Sequence, residues 1–111
     1  MPYKEKEIEK LYYSISEVAQ MYGVNASLIR FWEKQFPQIK PKKNKKGNRL
    51  FTKEDIETFD LIYHLVKEKG LTIEGAKKQL KTNPDKVKDN VVIIRKLEEI
   101  KNELLSIRKN L

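Results

Sequence analysis

The sequence contains no cysteine among its 111 residues, and this absence excludes several classes of protein. Disulfide-stapled scaffolds, thiolate metal sites and cysteine-based redox sensors all need thiols. No apolar run approaches the roughly 18 residues that cross a bilayer, and the first six residues lack the apolar core of a signal peptide. We therefore expect a soluble protein of the cytoplasm.

Residue sets that carry catalysis are also missing. The only histidine, His64, falls inside a predicted helix without a plausible partner in the sequence. No Gly-rich phosphate loop, metal-ligand spacing or nucleophile–base set is present. The sequence therefore predicts that the protein is not an enzyme and binds neither a cofactor nor a metal.

What the chain does have is positive charge. Lys and Arg total 24 against 16 Asp and Glu, which gives a formal net charge of +8. Such a balance favours a polyanionic partner, either nucleic acid or an anionic membrane surface. The length and the 39% of apolar residues fit one compact domain with a modest core, plus one extended element.

Two short helices are predicted near the N-terminus. Ser14 and Glu17 have the spacing of a capping box, and Gly23 is placed to end the first helix. Asn25 can cap a second helix over residues 26–35. The apolar residues of the pair are expected in the core: Ile15, Val18, Ala19, Tyr22, Ile29, Trp32 and Phe36. Two helices joined by three residues are typical of a helix-turn-helix.

The opposite side of the second helix carries the residues expected to meet DNA: Ser27, Arg30, Phe31 and Lys34. A helix of this size fits the major groove, where an arginine can bond to guanine and an aromatic ring can contact a thymine methyl. An ordinary surface helix with one arginine is the alternative on this segment alone.

A basic, turn-rich segment follows and is predicted to be a wing. Residues 40–49 hold six cations and no acid, and Leu50 and Phe51 directly after them are apolar anchors. The cations are Lys40, Lys42, Lys43, Lys45, Lys46 and Arg49. They would neutralise phosphates without reading sequence. The segment has no apolar residue except prolines, so it could adsorb to a membrane but not insert.

Two further helices are predicted before the last one. Thr52 and Asp55 form a second capping pair, and Gly70 is placed to end that helix. Its buried stripe is predicted to be Ile56, Phe59, Ile62, Tyr63 and Val66. Thr72 is expected to cap a short helix through about Leu80.

The clearest periodicity lies in the last helix, which is predicted to begin at Asn83-Pro84-Asp85 and run towards Leu111. Apolar residues recur there at spacings of 4, 3, 4, 3 and 4, which makes a heptad stripe: Ile93, Leu97, Ile100, Leu104, Ile107 and Leu111. The stripe could fold against its own domain, but we favour pairing with a second copy because the preceding segments already supply enough apolar faces for a small core.

Four motifs in order resemble the MerR family of transcription regulators. Tyr-Ser-Ile-Ser-Glu-Val-Ala at 13–19 resembles the family's first helix, and Gly-Val-Asn-Ala-Ser-Leu-Ile-Arg-Phe-Trp-Glu at 23–33 resembles its recognition helix. Gly-Asn-Arg-Leu-Phe-Thr-Lys-Glu-Asp-Ile at 47–56 resembles the end of wing 1. Lys-Glu-Lys-Gly-Leu-Thr-Ile-Glu-Gly-Ala at 67–76 resembles the second helical pair.

The resemblance implies a mainly α protein, in which a winged helix-turn-helix DNA-binding domain precedes a long dimerisation helix that forms an antiparallel coiled coil. It implies that Arg30 and Phe31 meet DNA, that Arg49 contacts the backbone, and that Lys67 binds phosphate from a second wing. Its members bind promoters as homodimers, and many bend DNA there. RNA polymerase at the promoter and location at the nucleoid follow as expectations.

Departures from the family pattern shape the remaining expectations. Phe31 stands where the family usually has tyrosine, so that hydroxyl is missing. The chain stops at the heptad helix, which predicts either a regulator without an effector domain or a fragment. We expect an arm at 1–11, a DNA-binding domain at 12–82 and a dimerisation helix at 83–111. The alternatives are an excisionase-like architectural DNA-bending factor and a protein-interaction module that docks through its coiled coil.

Overall fold

A computed structural model describes residues 11–110 of the chain, so the predicted arm, apart from Leu11, and Leu111 of the heptad stripe lie outside the described residues. The described chain is mainly α, as predicted, with one two-stranded antiparallel sheet. It divides into two compact units, with the boundary in the chain between Lys77 and Lys78. The first begins with α1 (Ile15–Tyr22), α2 (Ala26–Gln35), β1 (Lys42–Lys43), β2 (Arg49–Leu50) and α3 (Lys53–Tyr63).

The helix-turn-helix forms because local signals fix both ends of α1. The Ser14 hydroxyl accepts a hydrogen bond from the Glu17 amide, and the Glu17 carboxylate accepts one from the Ser14 amide, which completes the predicted capping box. Gly23 takes a left-handed conformation at φ 63° and ends the helix. Asn25 is the N-cap residue of α2 by position, but the described residues include no side-chain capping bond from it.

The sheet is a short hairpin in which Lys42 lies opposite Leu50 and Lys43 opposite Arg49. A further antiparallel bridge joins Tyr13 to Phe51 through two backbone hydrogen bonds of 2.8 Å. This bridge ties the residue before the Ser14 cap to the end of β2. The wing is therefore anchored beside the start of α1, as the apolar residues after the basic segment predicted.

Helix α3 begins with the second predicted capping box, in which the Thr52 hydroxyl accepts from the Asp55 amide. The Asp55 carboxylate is 4% exposed and accepts hydrogen bonds from the Thr52 and Lys40 amides. One acid thus starts α3 and fixes the entry to the wing.

The prediction for the rest of this helix needs correction. After Tyr63 the chain continues as a π-helical turn, His64–Glu68, before Gly70 at φ 78°. Leu61 and Leu65 are buried, whereas Tyr63 and Val66, which were predicted to be buried, are only half-buried. A π turn adds a residue to the helical repeat, so the 3.6-residue periodicity does not extend through it. His64 is also buried and has a partner, because its Nδ1 lies 3.2 Å from Glu68 Oε1.

The core of the first unit is built around aromatic side chains. Phe51 and Phe59 meet edge to face with ring centroids 5.3 Å apart, and the Tyr22 hydroxyl donates to the Ile56 carbonyl. Fully buried apolar residues include members of α1, α2 and α3 and the residues directly after α2 and β2: Val18, Ile29, Trp32, Phe36, Phe51, Ile56, Phe59 and Ile62. Of the predicted stripe of α1 and α2, Ile15 alone is half-buried.

Helix α4 (Ile73–Thr82) contains the boundary between the two units, and α5 (Pro84–Asn110) makes up most of the second. The Thr72 hydroxyl caps α4 by accepting from the Gly75 amide, as predicted. The 27 residues of α5 give a helix about 40 Å long. Among the described residues, no helix is both long enough and apolar enough to cross a membrane.

Candidate nucleic-acid interface

Helix α2 presents one apolar and one polar face. Ile29 and Trp32 are fully buried, while Ser27, Arg30 and Lys34 are exposed and Phe31 is 43% exposed. The predicted division of the helix into a core face and a free face is therefore confirmed. The adjacent aromatics of the Arg-Phe-Trp motif point in different directions, so only Phe31 is available to a ligand.

The tip of the wing is organised by Asn44, which was not among the predicted site residues. Asn44 Oδ1 accepts hydrogen bonds from the Lys46 and Asn48 amides at 2.9 and 3.0 Å. Gly47 donates to the Asn44 carbonyl and has φ 80°, a conformation that favours glycine. The signal was present as an Asn and a Gly three residues apart, which is a turn pattern.

The predicted wing lysines are all exposed: Lys42, Lys43, Lys45 and Lys46. None of them has an ion-pair partner among the residues that the structure describes. Lys42 Nζ lies 5.9 Å from the ring centroid of Tyr12, which is 41% exposed. Tyr12 is thus a further exposed aromatic beside the wing, and its position depends on the Tyr13–Phe51 bridge.

Arg49 differs from the other wing cations. Its Nε lies 2.8 Å from both carboxylate oxygens of Glu33 on α2, and its side chain is 31% exposed. The family resemblance implied that Arg49 contacts the DNA backbone, and no pattern in the sequence indicated a role for Glu33. The structure joins the wing to the second helix of the helix-turn-helix through this pair.

An open groove of about 400 Å³ lies between the start of α1, the exposed face of α2 and the wing. Its lining combines two arginines and four small polar residues with a glycine and two aliphatic residues: Ser14, Ile15, Ser16, Arg30, Asn44, Gly47, Asn48, Arg49 and Leu50. Guanidinium, hydroxyl and amide groups are the donors that phosphate oxygens accept from. The groove is therefore lined by donors of the kind that a phosphodiester accepts from.

Lys67 is exposed on the π-helical turn and is not among the residues that line this groove. Its proposed contact with phosphate would belong to a separate part of the surface. The π turn determines the direction in which Lys67 points, which helical periodicity could not supply.

The predicted dimerisation stripe is exposed wherever the structure describes it. Ile93, Leu97, Ile100, Leu104 and Ile107 are between 51% and 61% exposed. Val87 and Val91, one and two turns from the start of α5, are buried. Arg95 Nη1 lies 3.3 Å from Glu98 Oε1, an i,i+3 pair beside the stripe.

Metal-binding side chains do not cluster in the part of the chain that the structure describes. Residues 11–110 contain no group of three or more His, Cys, Asp or Glu that could bind a metal ion.

Comparison with known proteins identifies the family. The sequence model of the family described as "MerR HTH family regulatory protein" matches residues 13–83 of this chain. Regulator protein TubY of Clostridium botulinum C phage is 32% identical over an alignment that covers 88% of this chain and 48% of that protein. The HTH-type transcriptional repressor CarA of Myxococcus xanthus is 30% identical over 71 residues, which cover 63% of this chain and 25% of that protein. The chain thus spans about a quarter to a half of the length of these relatives.

A solved structure shares the fold. The crystal structure of HiNmlR, described as a MerR family regulator lacking the sensor domain and bound to promoter DNA, aligns with a TM-score of 0.55. The alignment covers 90% of this chain and 87% of that chain at 19% sequence identity, so it concerns the fold alone. With the family model matching more than half of the residues and all four motifs, this chain belongs to the MerR family of helix-turn-helix regulatory proteins.

Proposed function

We propose that the protein is a transcription regulator that binds duplex DNA as a homodimer at a palindromic promoter site and bends it. The observation that carries the proposal is the groove that both Arg30 of the second helix and Arg49 of the wing line. One cation sits on an element that fits the major groove, and the other sits on an element that follows the backbone.

The two elements would divide the work of binding. Arg30 and Phe31, with Ser27 and Lys34 beside them, would contact base edges from the exposed face of α2. The wing lysines and Lys67 would contact phosphates and supply salt-dependent affinity that is the same for every sequence. Phe31 can meet a thymine methyl, but it lacks the hydroxyl through which a tyrosine would bond a phosphate.

The stripe on α5 supports the homodimer. Five apolar side chains at heptad spacing, each more than half exposed, leave a large apolar surface in water in the isolated chain. A second copy offers the same stripe, so a two-fold pair would bury both. The family resemblance favours the antiparallel orientation. A two-fold dimer would in turn require an inverted repeat in the DNA.

Function at a promoter is supported by the relatives of this chain. TubY is named a regulator, CarA a transcriptional repressor, and HiNmlR is described as bound to promoter DNA. We propose by extension that this protein works in the cytoplasm at the nucleoid and acts on RNA polymerase at its promoter.

Selection of bound sequences from a random duplex library, with the full chain at physiological salt, tests the proposal. We expect enrichment of one inverted repeat. Retention of DNA without an enriched sequence would contradict sequence-specific regulation and favour an architectural factor. Failure to retain any duplex would favour a protein-interaction module that docks through the α5 stripe.

Bending is tested on the enriched site. Fragments with the site circularly permuted should migrate differently when the protein is bound, because a bend at the centre retards a fragment more than a bend at the end. Equal mobility of all permutations would contradict bending while leaving sequence-specific binding intact.

A further inference from the structure

Glu33 is an acidic residue on the helix that we propose enters the major groove. A carboxylate beside DNA phosphates repels them unless a cation of the protein neutralises its charge. Glu33 meets that condition, because its side chain is only 13% exposed and both of its oxygens lie 2.8 Å from Arg49 Nε. The acid is therefore turned towards the wing.

The pair leaves most of the guanidinium of Arg49 available. Arginine has five N–H donors in a rigid plane, and only the Nε–H bond is directed at Glu33. Because the guanidinium is planar, fixing Nε also restricts the directions of both Nη groups. Arg49 lines the groove next to Arg30. A long side chain that is already ordered loses less conformational entropy when it binds a ligand.

We propose that Glu33 is a positioning residue: it orients Arg49 towards a DNA phosphate in the groove and fixes the wing relative to α2. This inference rests on the proposed function. Phosphate contacts set the register of a reading helix in the major groove. Glu33 therefore contributes to sequence discrimination although it is an acid in a cationic interface.

The opposite view makes a different prediction. If Glu33 only neutralises part of the positive charge, its removal strengthens binding to every duplex and makes the salt dependence steeper. If it positions Arg49, its removal weakens binding to the selected site and reduces discrimination between that site and other DNA.

The test is Glu33→Gln in the full chain. Dissociation constants are measured for the selected inverted repeat and for a mixed-sequence duplex of equal length over a range of salt. Discrimination is the dissociation constant for the mixed duplex divided by that for the selected repeat. We expect this ratio to shrink roughly tenfold, since one charge-assisted contact is lost, while the mixed duplex binds as well or better. An unchanged ratio, or tighter binding of the selected site, would overturn the proposal.

Two further variants serve as controls. Glu57→Gln makes the same charge change at an exposed position of α3 and should leave the ratio unchanged. Glu33→Asp keeps the charge on a shorter side chain and should preserve more discrimination than Glu33→Gln. If Glu33→Gln does not fold, Glu33→Asp alone carries the test, and its ratio should lie below that of the unmodified chain.

A second readout needs no DNA. The Nε–H proton of Arg49 should give a slowly exchanging resonance in the NMR spectrum of the free protein, and Glu33→Gln, whose neutral amide oxygen is a weaker acceptor, should make it exchange faster. Absence of this resonance in the unmodified chain would overturn the positioning role. Failure of the unmodified chain to bind any duplex would instead contradict the proposed function, so the two failures are distinguishable.

Discussion

The two units of the chain differ in how far their apolar residues are buried. In the unit that ends at Lys77, aromatic and aliphatic side chains from every helix are fully buried, Trp32 and Phe36 among them. In the unit from Lys78 onward, the buried residues among those described are Leu80, Val87 and Val91, while the stripe beginning at Ile93 is more than half exposed. The first unit completes its own core. The second leaves its apolar stripe exposed, and under the proposed homodimer its association state should depend on concentration.

The largest effect is expected from breaking the first core. Trp32→Ala should lower the free energy of unfolding by about 3–5 kcal/mol, because it leaves a cavity at a fully buried position. Urea denaturation measures the change. Phe31→Ala, one residue away and 43% exposed, should change stability by less than about 0.5 kcal/mol. Similar losses for both variants would contradict the division of α2 into two faces.

Leu97→Lys places a charge in the exposed apolar stripe of the second unit. An unpaired charge in an apolar seam costs about 3–5 kcal/mol, so the variant should be monomeric at concentrations where the unmodified chain is dimeric. Sedimentation equilibrium measures the mass. Asn102→Lys introduces the same charge at an exposed position between stripe residues and should remain dimeric. A dimeric Leu97→Lys variant would show that the stripe is not the interface.

Arg30→Ala should weaken sequence-specific DNA binding by the first unit without reducing its stability. We expect the selected duplex to bind roughly 10- to 100-fold more weakly, the effect of losing one bidentate base contact, with little change in stability because Arg30 is exposed. Binding assays with selected and mixed duplexes measure it. Lys88→Ala removes a cation from α5 and should change neither constant. An equal loss on both duplexes would mean that Arg30 contacts only phosphate.

The smallest effect is expected from the wing tip. Replacing Lys45 and Lys46 together by Ser should weaken binding to all duplexes by about tenfold and reduce the salt slope by about 2, since each lysine neutralises about one phosphate. Titrations at several salt concentrations measure the slope. The matched pair Lys86 and Lys88 on α5, replaced in the same way, should leave the slope unchanged. A loss confined to the selected duplex would indicate that the wing tip reads sequence.

Much of the fold could be predicted from short-range signals. Ser14 with Glu17 and Thr52 with Asp55 fixed two helix starts, because a capping box satisfies backbone amides within one turn. Gly23 fixed a helix end, because its positive φ is a local property. The exposed face of α2 and the heptad stripe of α5 followed from periodicity alone.

The features that the sequence did not indicate have two kinds of cause. One is contact between distant residues: the family resemblance implied that Arg49 contacts the DNA backbone, but no pattern indicated that the fold brings it against Glu33, 16 residues earlier in the chain. The other is a local change of the backbone: the sequence gave His64 no partner and extended a regular helix through residues 64–68, where the chain forms a π turn and His64 pairs with Glu68. The sequence did not single out Tyr12, whose place beside Lys42 depends on the bridge between Tyr13 and Phe51.

The sequence by itself determined the order of the elements, the faces of α2 and α5 and the positive charge of the wing, since each depends on residues within a few positions of one another. Only the tertiary structure decided which cations share the groove and which acid orients one of them. Those relations depend on how the hairpin packs beside the helices, and packing joins residues that no local pattern connects.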